Sequence, residues 1–119
     1  MSLVEDLTDE VGDNLRAVAT YSETDCEILY ERADVRSKPR IIDTIHEELI
    51  LEGMGTEYLE AVFDVGRLNC TMHSFEEAMC FHFVRDPLEG VFISIEPDAM
   101  VPLQQFVSIC NRSSIDVDA

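Results

Sequence analysis

An α/β chain of the α+β type, with a five-stranded antiparallel sheet and three helices in the order α-β-β-α-β-β-β-α, is what the sequence predicts, on three observations. Residues Leu68 to His73, Ala78 to Val84 and Val91 to Ile95 are rich in β-branched and aromatic side chains. Ser74-Phe75-Glu76-Glu77 and Asp86-Pro87-Leu88-Glu89-Gly90 separate them as turns. Two further strands lie upstream, and three stretches carry apolar residues at helical spacing.

The first helix spans Ser2 to Val11, with Leu3, Val4, Leu7 and Val11 on one side. Ser2-x-x-Glu5 matches a capping box, and Gly12 ends the helix. From Leu15 to Tyr21 the pattern alternates, Ser22-Glu23-Thr24-Asp25 turns the chain, and Cys26 to Arg32 returns as the second arm of a hairpin. Ala33 to Lys38 is a polar connection. Ser37 and Pro39 then open a helix whose apolar stripe is Ile41, Ile42, Ile45 and Leu49, flanked by Ile50 and Leu51 and closed by Gly53. Between Gly53 and Gly66 the helical spacing of Tyr58, Leu59, Val62 and Phe63 competes with the alternation of Ala61, Phe63 and Val65. The expectation there is a linker with one helical turn. After the three strands, Pro97 breaks the chain and a last helix follows, with Pro102 in its first turn and Leu103, Phe106, Val107 and Cys110 as its buried stripe. Residues 1–112 form the expected single domain, and Ser113 to Ala119 a short, frayed acidic tail. Helices on both faces of the sheet imply burial on both faces.

The charge narrows the habitat and the partners. Twenty-five Asp and Glu stand against eight Lys and Arg, with Lys38 the single lysine, for a net charge of -17. The carboxylates are spread along the chain among normal aliphatic content, and 46% of residues are hydrophobic, so the chain folds rather than remaining disordered. A dispersed acidic surface almost without lysine points to a halophilic archaeon, where multimolar salt shortens the Debye length to roughly 3 Å and suppresses self-repulsion. Nucleic acid is not an expected partner, because phosphate binding needs cationic side chains and the one basic cluster, Arg32, Arg36, Lys38 and Arg40, is interrupted by Asp34. The acidic N-terminus lacks a leader's apolar run, and no window approaches the ~20 apolar residues of a membrane span. A cytoplasmic location is expected. Cys26, Cys70, Cys80 and Cys110 show no CxxC spacing and sit within apolar patterns, as buried thiols do.

The order of elements resembles the roadblock (dynein light chain) fold, itself similar to profilin-like and longin domains. The topology match covers residues 3 to 112. Val11-Gly12-Asp13-Asn14-Leu15-Arg16, followed by Glu27-Ile28-Leu29-Tyr30-Glu31-Arg32, also resembles segments of small uncharacterised haloarchaeal proteins. The roadblock resemblance implies no catalytic signature, dimerisation through the middle helix and the neighbouring strand, and for several members binding to small Ras-like GTPases.

Four side chains invite a metal: Cys70, His73, Cys80 and His82 offer zinc-type donors within thirteen residues. With Phe75-Glu76 as the turn centre, Cys70 faces Phe81 and Thr71 faces Cys80, so the cysteines point to opposite faces. His73 and His82 share the face of Cys80 but fall near opposite ends of the hairpin. Cys80 beside His82 also has the composition of a thiol-imidazole pair, without the oxyanion donors that nucleophilic catalysis needs. Glu47-Glu48 and Glu76-Glu77 read as solvated pairs rather than acid-base groups. Met72, Met79 and Phe81 are candidates for the lining of a small-ligand pocket. The middle helix carries more apolar surface than the ~100° stripe one sheet contact requires. Ile41, Ile42, Ile45, His46, Leu49 and Ile50 are therefore the expected interface of a homodimer. The function this supports is a non-catalytic dimeric scaffold or regulatory adaptor, with a small Ras-like GTPase as partner and no cofactor. Ligand sensing and metal binding are the alternatives.

Overall fold

A computed structural model describes residues 2–35, 39–86, 88–99 and 103–117. Helix α1 is Leu3–Val11; the Ser2 hydroxyl accepts the Glu5 N–H at 3.1 Å, and Leu3, Leu7 and Val11 are buried. Gly12 takes φ +55°, a conformation that a residue with a Cβ rarely adopts, and starts a 3-10 turn over Gly12–Asn14. Strands β1 (Leu15–Tyr21) and β2 (Cys26–Glu31) form the expected hairpin, followed by a second 3-10 turn at Ala33–Val35. Helix α2 is Pro39–Met54 and α3 is Thr56–Phe63. Strands β3 (Thr71–Ser74), β4 (Met79–Asp86) and β5 (Glu89–Ile95) precede helix α4, Leu103–Val117.

The five strands form one sheet in the order β2-β1-β5-β4-β3, and every neighbouring pair is antiparallel. Register defines the two faces. Val18 pairs with Ile93 and Ile93 with Phe81, so the three form one row of the face that α1 and α4 cover. There Phe81 meets Phe106 edge-on at 5.3 Å, and Leu7, Leu15, Ile95 and Ile109 belong to the same buried apolar core. Ala19, Phe92 and His82 form the adjacent row on the opposite face, over which α2 lies. The layers are helices, sheet, helix. All four cysteines are free. No helix among the described residues is long and apolar enough to cross a membrane.

Four expectations need correction. The 53–66 segment is mostly helical: Gly55 N–H bonds Glu52 carbonyl at 3.2 Å and Thr56 Oγ1 bonds Gly53 carbonyl at 3.0 Å, so the chain stays hydrogen-bonded across the glycine pair and enters α3. Asp64, at φ 51°, closes that helix with its N–H on Glu60 carbonyl at 3.0 Å. Strand β3 begins at Thr71 rather than Leu68, because the Leu68 N–H is taken at 2.6 Å by the Glu60 carboxylate instead of a neighbouring strand. In α4 the buried positions are Phe106, Ile109 and Cys110, while Leu103 is exposed, and the helix runs to Val117 through most of the expected tail. The β4–β5 hairpin extends to an Asp86 and Glu89 pair, so its turn is shorter than the expected five residues.

Arg32 ties the end of the sheet together. It donates to Asp34 at 2.6 and 2.9 Å, to the Asp13 carbonyl at 2.7 Å and to Glu96, joining the end of β2 to the turn before β1 and the residue after β5.

Candidate functional site

The two layers of the α2 side are joined by a chain of polar groups that begins at the last residue of β1. Tyr21 hydroxyl lies 2.5 Å from His82 Nε2, His82 Nδ1 lies 2.6 Å from Glu52 Oε1, and Glu52 Oε2 lies 2.9 Å from His73 Nε2. His82 is 1% exposed. A carboxylate only accepts, so His82 Nδ1 carries the proton that Glu52 receives, and in the neutral ring Nε2 accepts the Tyr21 O–H. His46, six residues before Glu52 on α2, donates through Nε2 to the Ser22 carbonyl at 2.7 Å and sets its ring edge-on to Tyr21 at 6.1 Å. All three histidines of the chain thus lie at this boundary.

The electrostatics follow from burial. Burial holds the His82 imidazole below its ordinary range, and the hydrogen bond and charge of Glu52 offset only part of that. Burial alone raises the Glu52 carboxyl, but the bonds from His82 and His73 outweigh it and the net shift is downward. Burial first, then the charges of Glu52 and Glu89, push the Tyr21 phenol up.

Beside this chain, α2 and the β3–β4 end of the sheet leave an open groove of about 380 Å³. Ile45, Leu49, Cys80, Phe75 and Phe92 form apolar walls, and Glu52 and His73 form the polar end. β3 itself is the last strand of the sheet, paired on one side only.

The sequence-derived candidates fall into separate places. Phe75 N–H bonds the Ala78 carbonyl at 2.8 Å, which centres the turn on Glu76-Glu77, one residue beyond the expected centre. His73 therefore pairs with Cys80 and Thr71 with His82. The separation expected between His73 and His82 is replaced by a shared bond to Glu52. Cys70 packs toward the α1/α4 core and Cys80 faces α2, so the cysteines are on opposite faces as the alternation predicts. Among the described residues, no three His, Cys, Asp or Glu are placed to hold a metal ion. Cys80 Sγ contacts Ser94 Oγ at 3.8 Å, and burial pushes its thiol up, while the Cys70 thiol is pushed up to about 11 by the same cause. Raised thiols beside an imidazole with both nitrogens occupied do not make a nucleophile and base.

Met72, Met79 and Phe81 do not line the groove. Phe81 is buried against Phe106, Met79 packs on the same core, and Met72 is exposed. Of the expected interface, Leu49 is buried, Ile45 and Ile50 are half-buried, and His46 is bonded to the chain's own Ser22. The side chains of Ile41 and Ile42 lie outside the described residues. Glu52 is the residue that sequence reasoning passed over. Its position gave a signal: three after Leu49 and seven after Ile45, it is a carboxylate on the buried stripe of its helix.

A family model described as a domain of unknown function, DUF7522, matches residues 1–114. No curated protein matches the chain. Solved structures do. One described as "MglB with tetrameric arrangement" superposes with a TM-score of 0.67 at 15% identity over 97% of this chain and 82% of that one. The gliding protein MglB of Thermus thermophilus gives 0.65 at 17% identity over 98% and 87%. A Roadblock/LC7 domain from Streptomyces avermitilis gives 0.62 at 10% identity over 98% and 96%. The fold is that of the roadblock structures.

Proposed function

We propose, on the premise that this chain belongs to the DUF7522 family and has the roadblock fold, that it is a non-catalytic, homodimeric interaction module: a scaffold or regulatory adaptor whose partner is a small Ras-like GTPase. The observation that carries the reading is the unpaired outer edge of β3 beside the α2 groove. An exposed edge is a template for a further strand unless it is covered. Two copies pairing their β3 edges about a twofold axis would cover both edges with one self-complementary contact. Ile45 and Ile50, half-buried on the helix flanking that edge, together with Ile41 and Ile42, are the side chains proposed to meet the second copy. Leu49 and His46 contribute from beneath, by seating α2 on its own sheet.

The GTPase rests on likeness of fold to the MglB and Roadblock/LC7 structures, and the absence of catalysis on the occupied imidazole and raised thiols described above. The acidic surface supports a salt-adapted archaeal cytoplasm as the setting. Sedimentation in multimolar salt tests the dimer: a dimer is expected for the parent chain and a monomer for Met72→Pro, which removes a β3 N–H and kinks the edge. A parent chain that sediments only as monomer overturns it. Binding to a Ras-like GTPase loaded with GDP or a non-hydrolysable GTP analogue tests the partner, and equal failure with both nucleotides sinks that part alone.

A second reading, small-ligand sensing, is favoured by one feature: the groove has apolar walls and a carboxylate-imidazole end.

A further inference from the structure

Helix α3 shows most of its apolar residues to solvent. Tyr58 is 73% exposed, Phe63 68% and Val62 58%, and Leu51 and Met54 near the end of α2 are exposed as well. These side chains contribute little to the core, and a run of this kind marks a surface that another molecule covers. The surface has a receptacle. Leu59, Phe63, Val65 and Leu68 line a cavity of about 180 Å³ between α3 and segment 65–69, room for a single large apolar side chain. Its walls are held in place by the Glu60 carboxylate, which accepts the Leu68 N–H at 2.6 Å.

Charge identifies what fits. Between Arg40 and Arg67 the chain has seven Asp and Glu and no lysine or arginine. Exposed Glu57 and Asp64 and half-buried Glu60 stand around the apolar run itself. A second copy offering the same face would bring these carboxylates together with no cation between them, whereas a basic helix pairs each with an opposite charge at contact distance, where salt screens least. We propose that α3 and segment 65–69 form a docking groove for a basic amphipathic helix of a partner protein. One large apolar side chain of that helix fills the cavity, its neighbours lie along Tyr58 and Val62, and its lysines or arginines meet Glu57 and Asp64. Arg67, which also lines the cavity, favours the carbonyl-rich C-terminus of the incoming helix on its side.

The inference does not rest on the dimer, which uses the β3 edge and other residues of α2. Fluorescence anisotropy with three labelled peptides tests it: a helical Leu/Lys amphipathic peptide, its scrambled control and the Leu/Glu counterpart. The Leu/Lys peptide is expected to bind saturably, and the other two at least about tenfold more weakly. Val62→Asp, at an exposed position and expected to fold as the parent does, is expected to weaken the Leu/Lys peptide by about tenfold or more. Glu57→Lys weakens it several-fold, as does raising salt from about 0.2 M to about 2 M. Equal binding of the scrambled or Leu/Glu peptide, or indifference to Val62→Asp, overturns the proposal. So does a self-association that excludes the peptide and is dissolved by Val62→Asp, since the occupant would then be a second copy.

Discussion

His82 Nδ1 and Glu52 Oε1 meet at 2.6 Å across the boundary between the sheet and α2, and the imidazole of that pair is sealed from solvent. The bond makes the seat of α2 a matter of protonation as well as packing: a proton on Glu52 weakens its acceptance from the imidazoles, and a proton on His82 Nε2 removes the acceptor of the Tyr21 O–H. Tyr21 from β1, Glu52 from α2 and His73 from β3 surround the ring with titratable groups.

Stability is expected to fall as pH drops below 6.5. His82 is held below that ordinary value in the fold, so the unfolded chain takes up the proton first, and the loss continues down to the lowered folded value. Glu52, also lowered, adds a second loss as pH falls below 4.5. Urea unfolding across this range at fixed high salt measures the slope. His82→Gln, which can still accept from Tyr21 and donate to Glu52, is expected to flatten the upper part.

Glu52→Ala is expected to destabilise the fold by about 2 kcal/mol, since it leaves the buried His82 Nδ1–H without an acceptor. Glu52→Gln keeps an acceptor and is expected to lose less. Equilibrium unfolding of the two variants side by side checks the order, and equal losses would assign the effect to packing instead.

Gly90→Ala is expected to cost about 1–3 kcal/mol through overpacking. A Cβ there collides with the Phe83 carbonyl oxygen and crowds the Tyr21 hydroxyl, neither of which is a free side-chain end. A thermal unfolding midpoint unchanged from that of the parent would contradict the close approach.

Two phenylalanines should behave in opposite ways. Phe106→Ala removes a ring fully buried against Phe81 and is expected to cost about 3–5 kcal/mol. Phe63→Ala, at an exposed position, is expected to stay within about 0.5 kcal/mol of the parent. Denaturant titration of both variants separates a residue kept for folding from one kept for contact.

What the sequence revealed followed the range of the forces involved. Helix α1 was legible because the Ser2 to Glu5 cap and the Leu3, Leu7, Val11 stripe are local, and the β1–β2 hairpin because its turn residues sit beside the alternation they serve. The α3 segment was ambiguous because Tyr58, Val62 and Phe63 satisfy the helical period without burial to decide between helix and strand. The exchange of Leu103 for Ile109 in the buried stripe is a rotation of α4 set by what it packs against. The polar chain from Tyr21 to His73 was beyond local reading. It joins four elements, and its recognition turned on the placement of one hairpin turn between Phe75-Glu76 and Glu76-Glu77.

The pairing of β1 with β5 at the middle of the sheet sets the order of assembly. Val18 meets Ile93, so the centre of the sheet closes only after nearly the whole chain is available. During synthesis the β1–β2 hairpin is complete long before its inner neighbour exists, and its β1 edge waits uncovered through the making of both middle helices. Closing that gap is a long-range event, so refolding is expected to be slow for a chain of this length, with the β1–β5 junction rather than any of the three hairpins as its limiting step.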